Sequence, residues 1–215
     1  MTHASNTKRL TCATCLRPHS TCICRWITPT AHAVEVLILQ HPLEAANAKG
    51  SARLLHLSLP HSRLVTGEGF AEQELQALLT APLKPDSAAQ RPKQVILLYP
   101  DTPDDAALGM SAPSVLAPDL LRGPPKLRLI VLDGTWRKSR KMLYRNPLLQ
   151  RLPRLPLRDM PASHYLIRNT HRPDQLSTLE ATCAALMQLE GGVEQFQPLL
   201  DAFDGFVAQQ LGYRK

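Results

Sequence analysis

Three short aliphatic runs constrain this chain more than any other feature: Val34-Glu-Val-Leu-Ile-Leu39, Gln94-Val-Ile-Leu-Leu-Tyr99 and Leu127-Arg-Leu-Ile-Val-Leu132. Each has strand length, is rich in β-branched residues and ends at a His-Pro, a Pro or an Asp-Gly, the pattern of a buried strand. Two shorter strands are expected near Arg63–Thr66 and at Tyr165–Arg168. Helical periodicity predicts helices over Lys49–Leu57, Phe70–Leu79, Trp136–Arg145, Ser177–Leu189 and Val193–Leu211, the last with a stripe of Phe196, Leu199, Leu200, Phe203 and Val207. Residues 81–93, with three prolines, and residues 101–125 and 147–157 read as irregular. Apolar strands alternating with helices predict an α/β fold on a mostly parallel sheet. In such sheets ligands gather beyond the carboxyl ends of the strands. Gln40-His41-Pro42, Tyr99-Pro100-Asp101 and Asp133-Gly134-Thr135-Trp136 fall there.

At 215 residues the chain can bury a core without a disulfide scaffold. Its organisation reads as a tail and cysteine knuckle over 1–30 and an α/β domain over 31–215. The knuckle places Cys12, Cys15, Cys22 and Cys24 within thirteen residues. Thiolates spaced this way in a short, loop-rich segment can close a tetrahedral shell around zinc, and a shell filled by four protein ligands is structural rather than catalytic. The competing reading is four free or oxidised cysteines. Cys183 reads as a small buried residue within a helix.

The net charge of +7 is unevenly spread. Between Arg122 and Arg172 there are thirteen Lys or Arg against two acids, a local +11, so the remainder sums to −4. A basic block of this size suits a polyanion such as RNA, the plainer alternative being a solvated basic face. No run reaches the roughly 18 apolar residues of a membrane span. MTHASNTKRL lacks the apolar core of a secretory signal. A cytoplasmic protein with no membrane association is expected, and nothing in the sequence calls for an obligatory protein partner.

Asp133 follows a buried strand at once and precedes Gly134, a position from which a side chain reaches into a cleft and a ligand can come close to backbone. Thr135 is also placed to cap the next helix, and Trp136 either packs in the core or lies against a cofactor or a base. Asp-x-Thr-Trp after a Leu-Ile-Val-Leu strand resembles the DTW-domain family of tRNA-uridine aminocarboxypropyltransferases. Further blocks match it in order: the four-cysteine knuckle with Pro18, Gln40-His41-Pro42-x-Glu44 with Lys49 and Leu54-Leu55, Tyr99-Pro100, Tyr165-x-Ile167-Arg168, and Ser177-Thr178-Leu179-Glu180-Ala181. The likeness covers roughly residues 12–185.

The resemblance implies an α/β fold similar to that of the trefoil-knotted RNA methyltransferases, with S-adenosylmethionine bound by knotted C-terminal loops. It implies transfer of the 3-amino-3-carboxypropyl group to N3 of a tRNA uridine, with structural zinc in the knuckle. Cofactor contacts are then expected from Tyr99, Pro100, Asp133, Gly134, Thr135, Trp136, Ile167, Arg168, Ser177, Thr178 and Glu180. Asp133 is the candidate base for the uracil proton, or else an orienting group. Ser-x-x-Glu at 177–180 equally fits a helix capping box. Arg168 is a candidate partner for the cofactor carboxylate. Contacts to RNA are expected from His41, Lys49, Arg137, Lys138, Arg140 and Lys141. Two rival readings stand beside this one: a knotted methyltransferase using the same cofactor, and a zinc-containing RNA-binding protein without activity.

Overall fold

The computed structural model describes residues 10–83, 94–102, 109–117, 127–158 and 176–213. Within them a five-stranded, wholly parallel sheet runs in the order β2-β1-β4-β3-β5. The strands are β1 (Glu35–Gln40), β2 (Ser62–Thr66), β3 (Gln94–Leu98), β4 (Leu127–Asp133) and β5 (Arg154–Leu155). The helices are α1 (Pro42–Ala45), α2 (Ala52–Ser58), α3 (Glu72–Thr80), α4 (Trp136–Arg145), α5 (Pro147–Gln150), α6 (Thr178–Glu190) and α7 (Gln197–Gly212).

The continuous apolar character of β1 and β4 follows from their central place, where both faces are covered. Side chains alternate between two cores. Val36, Ile38, Leu129 and Val131 meet α2, α6 and α7 on one face. Leu37, Leu39 and Ile130 meet α3, α4 and α5 on the other. β4 is inserted between β1 and β3, although β1 and β3 precede it in sequence. The β1–β4 seam is therefore bordered by strands whose connections leave in different directions, where an open α/β sheet presents a crevice.

Several expectations shift in detail. His41-Pro42 does end β1, and the chain then turns directly into α1, with proline in the first turn and His41 as its cap. The 147–157 stretch holds α5 and the edge strand β5, which are too short for periodicity to reveal. The last helix is preceded by a 3-10 turn at Glu194–Phe196. Phe206 joins Phe203 in the core, whereas Leu200 is half-buried. The strand expected at Tyr165–Arg168 lies outside the described residues, as does most of the β5–α6 connection on which the implied knotted C-terminal loops fall at least in part.

One charge sits inside the sheet. Arg128, on β4, is wholly buried. It donates through Nε and NH2 to Glu35 Oε2 on β1 at 2.9 and 2.6 Å. NH1 and NH2 also reach the carbonyls of Leu78 and Ala81 at the end of α3, at 2.8 and 2.7 Å. The guanidinium thus ties the amino ends of two central strands to a helix on one face. Removing it leaves a carboxylate and two carbonyls without these donors. Arg128→Met should lower the unfolding free energy by about 3–5 kcal/mol, the usual cost of breaking a buried pair from one side. Denaturant titration of both proteins checks this.

Candidate active site at the carboxyl ends of the central strands

Gln40 and Asp133 are register partners on the last rung of the β1–β4 seam. The Asp133 side chain is buried, 4% exposed, and both of its oxygens accept hydrogen bonds. Gln40 Nε2 donates to Oδ2 at 2.9 Å, and Thr178 Oγ1 donates to Oδ1 at 2.6 Å. The Asp133 carbonyl accepts from the His41 amide at 2.9 Å. Donors from two elements therefore hold the carboxylate in one orientation.

Thr178 is the first residue of α6, and the helix start is built as a capping box. Glu180 N donates to Ser177 Oγ at 3.2 Å, and Ser177 N donates to Glu180 Oε2 at 2.7 Å. Leu179 N donates to Ser51 Oγ at 3.2 Å. Ser177 and Glu180 thus fulfil the capping role expected of Ser-x-x-Glu. Beside this cap lies a cavity of about 120 Å³ lined by Leu98, Val131, Leu132, Gly134, Leu176, Ser177, Thr178 and Ala181. Its lining mixes aliphatic side chains with the hydroxyl residues Ser177 and Thr178. Its volume is that of a few water molecules. Gly134 has little room for a side chain: a Cβ there would lie 3.1 Å from Lys138 Cβ.

Tyr99, Pro100 and Trp136 do not line that cavity. Tyr99 is buried and stacks on Trp136, with ring centroids 5.2 Å apart and planes inclined by 19°. The Arg154 guanidinium sits 5.2 Å from the Tyr99 ring centre. Arg154 NH1 also donates to Thr102 Oγ1 at 2.9 Å and to the Pro100 carbonyl at 3.4 Å. Thr135 caps α4, accepting from Lys138 N at 3.4 Å. Ile167 and Arg168 lie outside the described residues.

The cations of α4 are partly balanced from a distance. Lys138 Nζ reaches Glu44 on α1 at 2.7 Å. Glu68, in the β2–α3 turn, accepts from Lys141 at 2.9 Å, Arg145 at 2.6 Å and His41 Nε2 at 2.9 Å. His41 Nδ1 accepts from Leu43 N at 3.2 Å, so Nε2 carries the proton given to Glu68. His41 is thus a buried cap rather than an open surface group. Arg137 is exposed, Arg140 is half-buried, and Lys49 is half-buried in the loop after α1. Asn146 completes the Glu68 corner, donating to the carbonyls of Glu68 and Met142 and accepting from Phe70 N.

Ser51, Glu68 and Arg154 belong to this arrangement but were not expected as site residues, while Gln40 and Glu44 were singled out only as members of the Gln40-His41-Pro42-x-Glu44 block. For Gln40 the signal was its place at a strand end. For Glu68 there was none, because its partners on α4 lie 73 and 77 positions along the chain.

In the knuckle, the Sγ atoms of Cys12, Cys15, Cys22 and Cys24 all lie within 4.8 Å of one another. Cys12–Cys24 and Cys15–Cys22 are 3.5 and 3.7 Å apart. A tetrahedron of thiolates with ~2.3 Å metal–sulfur bonds has edges of about 3.8 Å, so the four sulfurs fit a metal ion. The amides of Cys15 and Thr14, then the Cys24 side chain, hold the Cys12 thiol down at about 6. Burial, then the neighbouring Cys12, pushes Cys24 up to about 12, a penalty that a cation would relieve. Leu16, at φ 59°, makes the left-handed turn after Cys15. Arg17 donates to the Ala48 and Gly50 carbonyls at 2.5 and 2.9 Å, joining the knuckle to the loop that supplies Ser51. Trp26 lies directly against Gly205 on α7, where any side chain would collide with its ring.

Lys141, then His41 and Arg145, hold the Glu68 carboxyl at about 2, well below its ordinary 4.5. A lowered carboxyl pKa adds stability that is complete above about pH 4.5 and is lost as pH falls through about 2. Glu68→Gln should therefore be less stable than wild type near neutrality, with the gap closing as pH falls below about 4.5. Denaturation midpoints across that range check it.

The DTW domain matches residues 9–211. The chain is 29% identical to tRNA-uridine aminocarboxypropyltransferase 2 of Drosophila melanogaster, over 90% of this chain and 72% of that protein. It is 27% identical to the protein of the same name in Mus musculus, over 85% of this chain and 57% of that one. It is also 27% identical to tRNA-uridine aminocarboxypropyltransferase A of Arabidopsis thaliana, over 63% of this chain and 51% of that one. The chain thus spans a little over half the length of the mouse and plant proteins. No solved structure matches it. A match that takes in the cysteine knuckle, the Asp133 corner and α6 alike shows that this chain belongs to the DTW-domain family.

Proposed function

We propose that this protein transfers the 3-amino-3-carboxypropyl group of S-adenosylmethionine to N3 of a uridine in tRNA and releases methylthioadenosine. The observation that carries this reading is the corner at Asp133, Gly134 and Thr178. There a fixed carboxylate is bonded to Thr178, which with Gly134 lines a cavity, in a chain whose relatives are named tRNA-uridine aminocarboxypropyltransferases. When bound, S-adenosylmethionine supplies an electrophilic carbon next to a sulfonium, with a neutral thioether as leaving group. Leu98, Val131, Leu132 and Ala181 offer apolar contact to its adenosyl part, and Gly134 lets backbone come close.

Asp133 accepts the N3 proton of uracil, or a hydrogen bond from it, as N3 forms its new bond to carbon. Gln40 and Thr178 keep that carboxylate aimed while this happens. Tyr99 and Trp136 form a stacked pair outside the residues that line the cavity, and Arg168 offers a cation to the cofactor carboxylate. Arg137, Arg140 and Lys141 contact RNA phosphates, with Lys49, Lys138 and His41 as further contacts. No helix among the described residues is long and apolar enough to cross a membrane. The cytoplasm, where thiols stay reduced, suits both the cysteine cluster and a tRNA substrate.

Incubation with unmodified tRNA and S-adenosylmethionine should yield aminocarboxypropyluridine and methylthioadenosine by mass spectrometry. S-adenosylhomocysteine as the product would make the protein a methyltransferase instead, and no product at all would leave a binding protein. Asp133→Asn should cut turnover about a hundredfold or more. A variant with full turnover would exclude Asp133 as proton acceptor.

Zinc is the ion we propose for the four cysteines, in a structural role. The purified protein should release about one zinc per chain when its thiols are titrated with a mercurial. It should also melt at a lower temperature afterwards. A protein that carries no metal and melts unchanged would overturn this.

A further inference from the structure

Trp136 occupies an unusual position for so large an apolar side chain. It is the first residue of α4, next to the cap Thr135, and it is 49% exposed. Single exposed apolar residues are ordinary at protein surfaces. This one differs in being pre-stacked: its ring lies on Tyr99, which is itself buried and covered by the Arg154 guanidinium. Its orientation is set before any ligand arrives, so little freedom is lost when a second ring stacks on it. It lies outside the residues that line the cavity.

The surroundings specify the chemistry of that second ring. Positions 136, 140 and 144 fall on one flank of α4. Arg140 stands there half-buried, and Tyr144 is 59% exposed. Arg137 is exposed beside them. Ser139, Met142 and Leu143 take the buried side. This flank therefore carries two exposed aromatic residues with the half-buried Arg140 between them and the exposed Arg137 alongside, inside the block of the sequence that carries +11. Alternating rings and guanidinium groups are how proteins hold unpaired nucleotides, through stacking on the bases and ionic contact with the phosphates.

We infer that Trp136 is a stacking platform for an unpaired nucleobase next to the modified uridine, with Tyr99 and Arg154 as positioning residues beneath it. This rests on the proposed RNA substrate and assigns Trp136 to the RNA rather than to the cofactor. Asp133 holds the reacting base near the cavity, and Trp136, three residues on, holds its neighbour splayed from the strand. The platform favours a uridine in a loop over one in a duplex, where the neighbouring base is already stacked.

The test measures binding without turnover. The probe is a short unpaired RNA with one uridine set among adenosines, alongside S-adenosylmethionine measured separately by calorimetry. Trp136→Leu should weaken RNA binding about tenfold or more. It should leave the salt dependence unchanged and cofactor affinity within about twofold, since stacking neutralises no phosphate. Trp136→Phe should retain most of the RNA affinity. An abasic site at one neighbour of the uridine should weaken wild type and erase its advantage over Trp136→Leu, while abasic sites elsewhere should not. The inference is overturned if Trp136→Leu binds RNA as wild type does, if all abasic positions act alike, or if cofactor affinity falls in place of RNA affinity. Should the leucine variant not fold, the phenylalanine variant and the abasic series on wild type carry the same comparison. A protein that forms no aminocarboxypropyluridine yet shows this pattern would refute the proposed reaction and keep the platform. One that forms the product but binds RNA independently of Trp136 would do the reverse.

Discussion

The two hydrogen bonds to Asp133 join parts of the chain that nothing local brings together. Gln40 ends the first strand, Asp133 ends the fourth and Thr178 starts the sixth helix. A carboxylate buried at a strand end needs donors, because burial without them is costly. Once β1 and β4 are in register, Gln40 supplies one, and α6 must come to rest with its first residue over the sheet edge to supply the other. The capping box then serves two ends at once. It satisfies the amides of the helix start from within, leaving the Thr178 hydroxyl to face Asp133. Ser177 and Thr178 of that helix start also line the cavity beside it.

Charge is organised by a similar long-range logic. The helix after Asp133 carries five cations in ten residues, and an isolated reading makes it a uniformly basic rod. In the fold, Glu44 and Glu68 draw in Lys138, Lys141 and Arg145. These pairs lie on the flank toward α1 and the β2–α3 turn and anchor the helix there. Arg137 remains exposed, and Arg140 stands half-buried on the flank shared with the aromatic residues. The basic surface is therefore directional, and its direction was not visible in composition.

Much of the architecture was legible. The three aliphatic runs became the three inner strands, and α4 spans Trp136–Arg145 as periodicity required. Ser177 and Glu180 could be read as a cap because both partners of that motif lie within one turn. The cysteine cluster could be read because its four members are near neighbours in sequence. What escaped depended on distance or brevity. β5 has two residues, too few for any period. The insertion of β4 between β1 and β3 is decided by packing of whole elements. Gln40 could be placed at a strand end, but its partner Asp133 appears only with the strand register. His41, at a strand end, looked open to a substrate, whereas Glu68 and the Leu43 amide occupy both ring nitrogens.

The contact of the knuckle with α7 bears on how the chain is made. Trp26 settles against Gly205, Gln209 Nε2 donates to the Cys22 carbonyl, and Tyr213 Oη donates to the carbonyl of Ser20. These partners are separated by more than 170 positions, so this part of the knuckle's seat does not exist until α7 has left the ribosome. During synthesis the four thiols emerge early and wait for it. An ion captured at that stage would shield them from air and from one another, and would deliver a finished clasp to the helix that arrives afterwards.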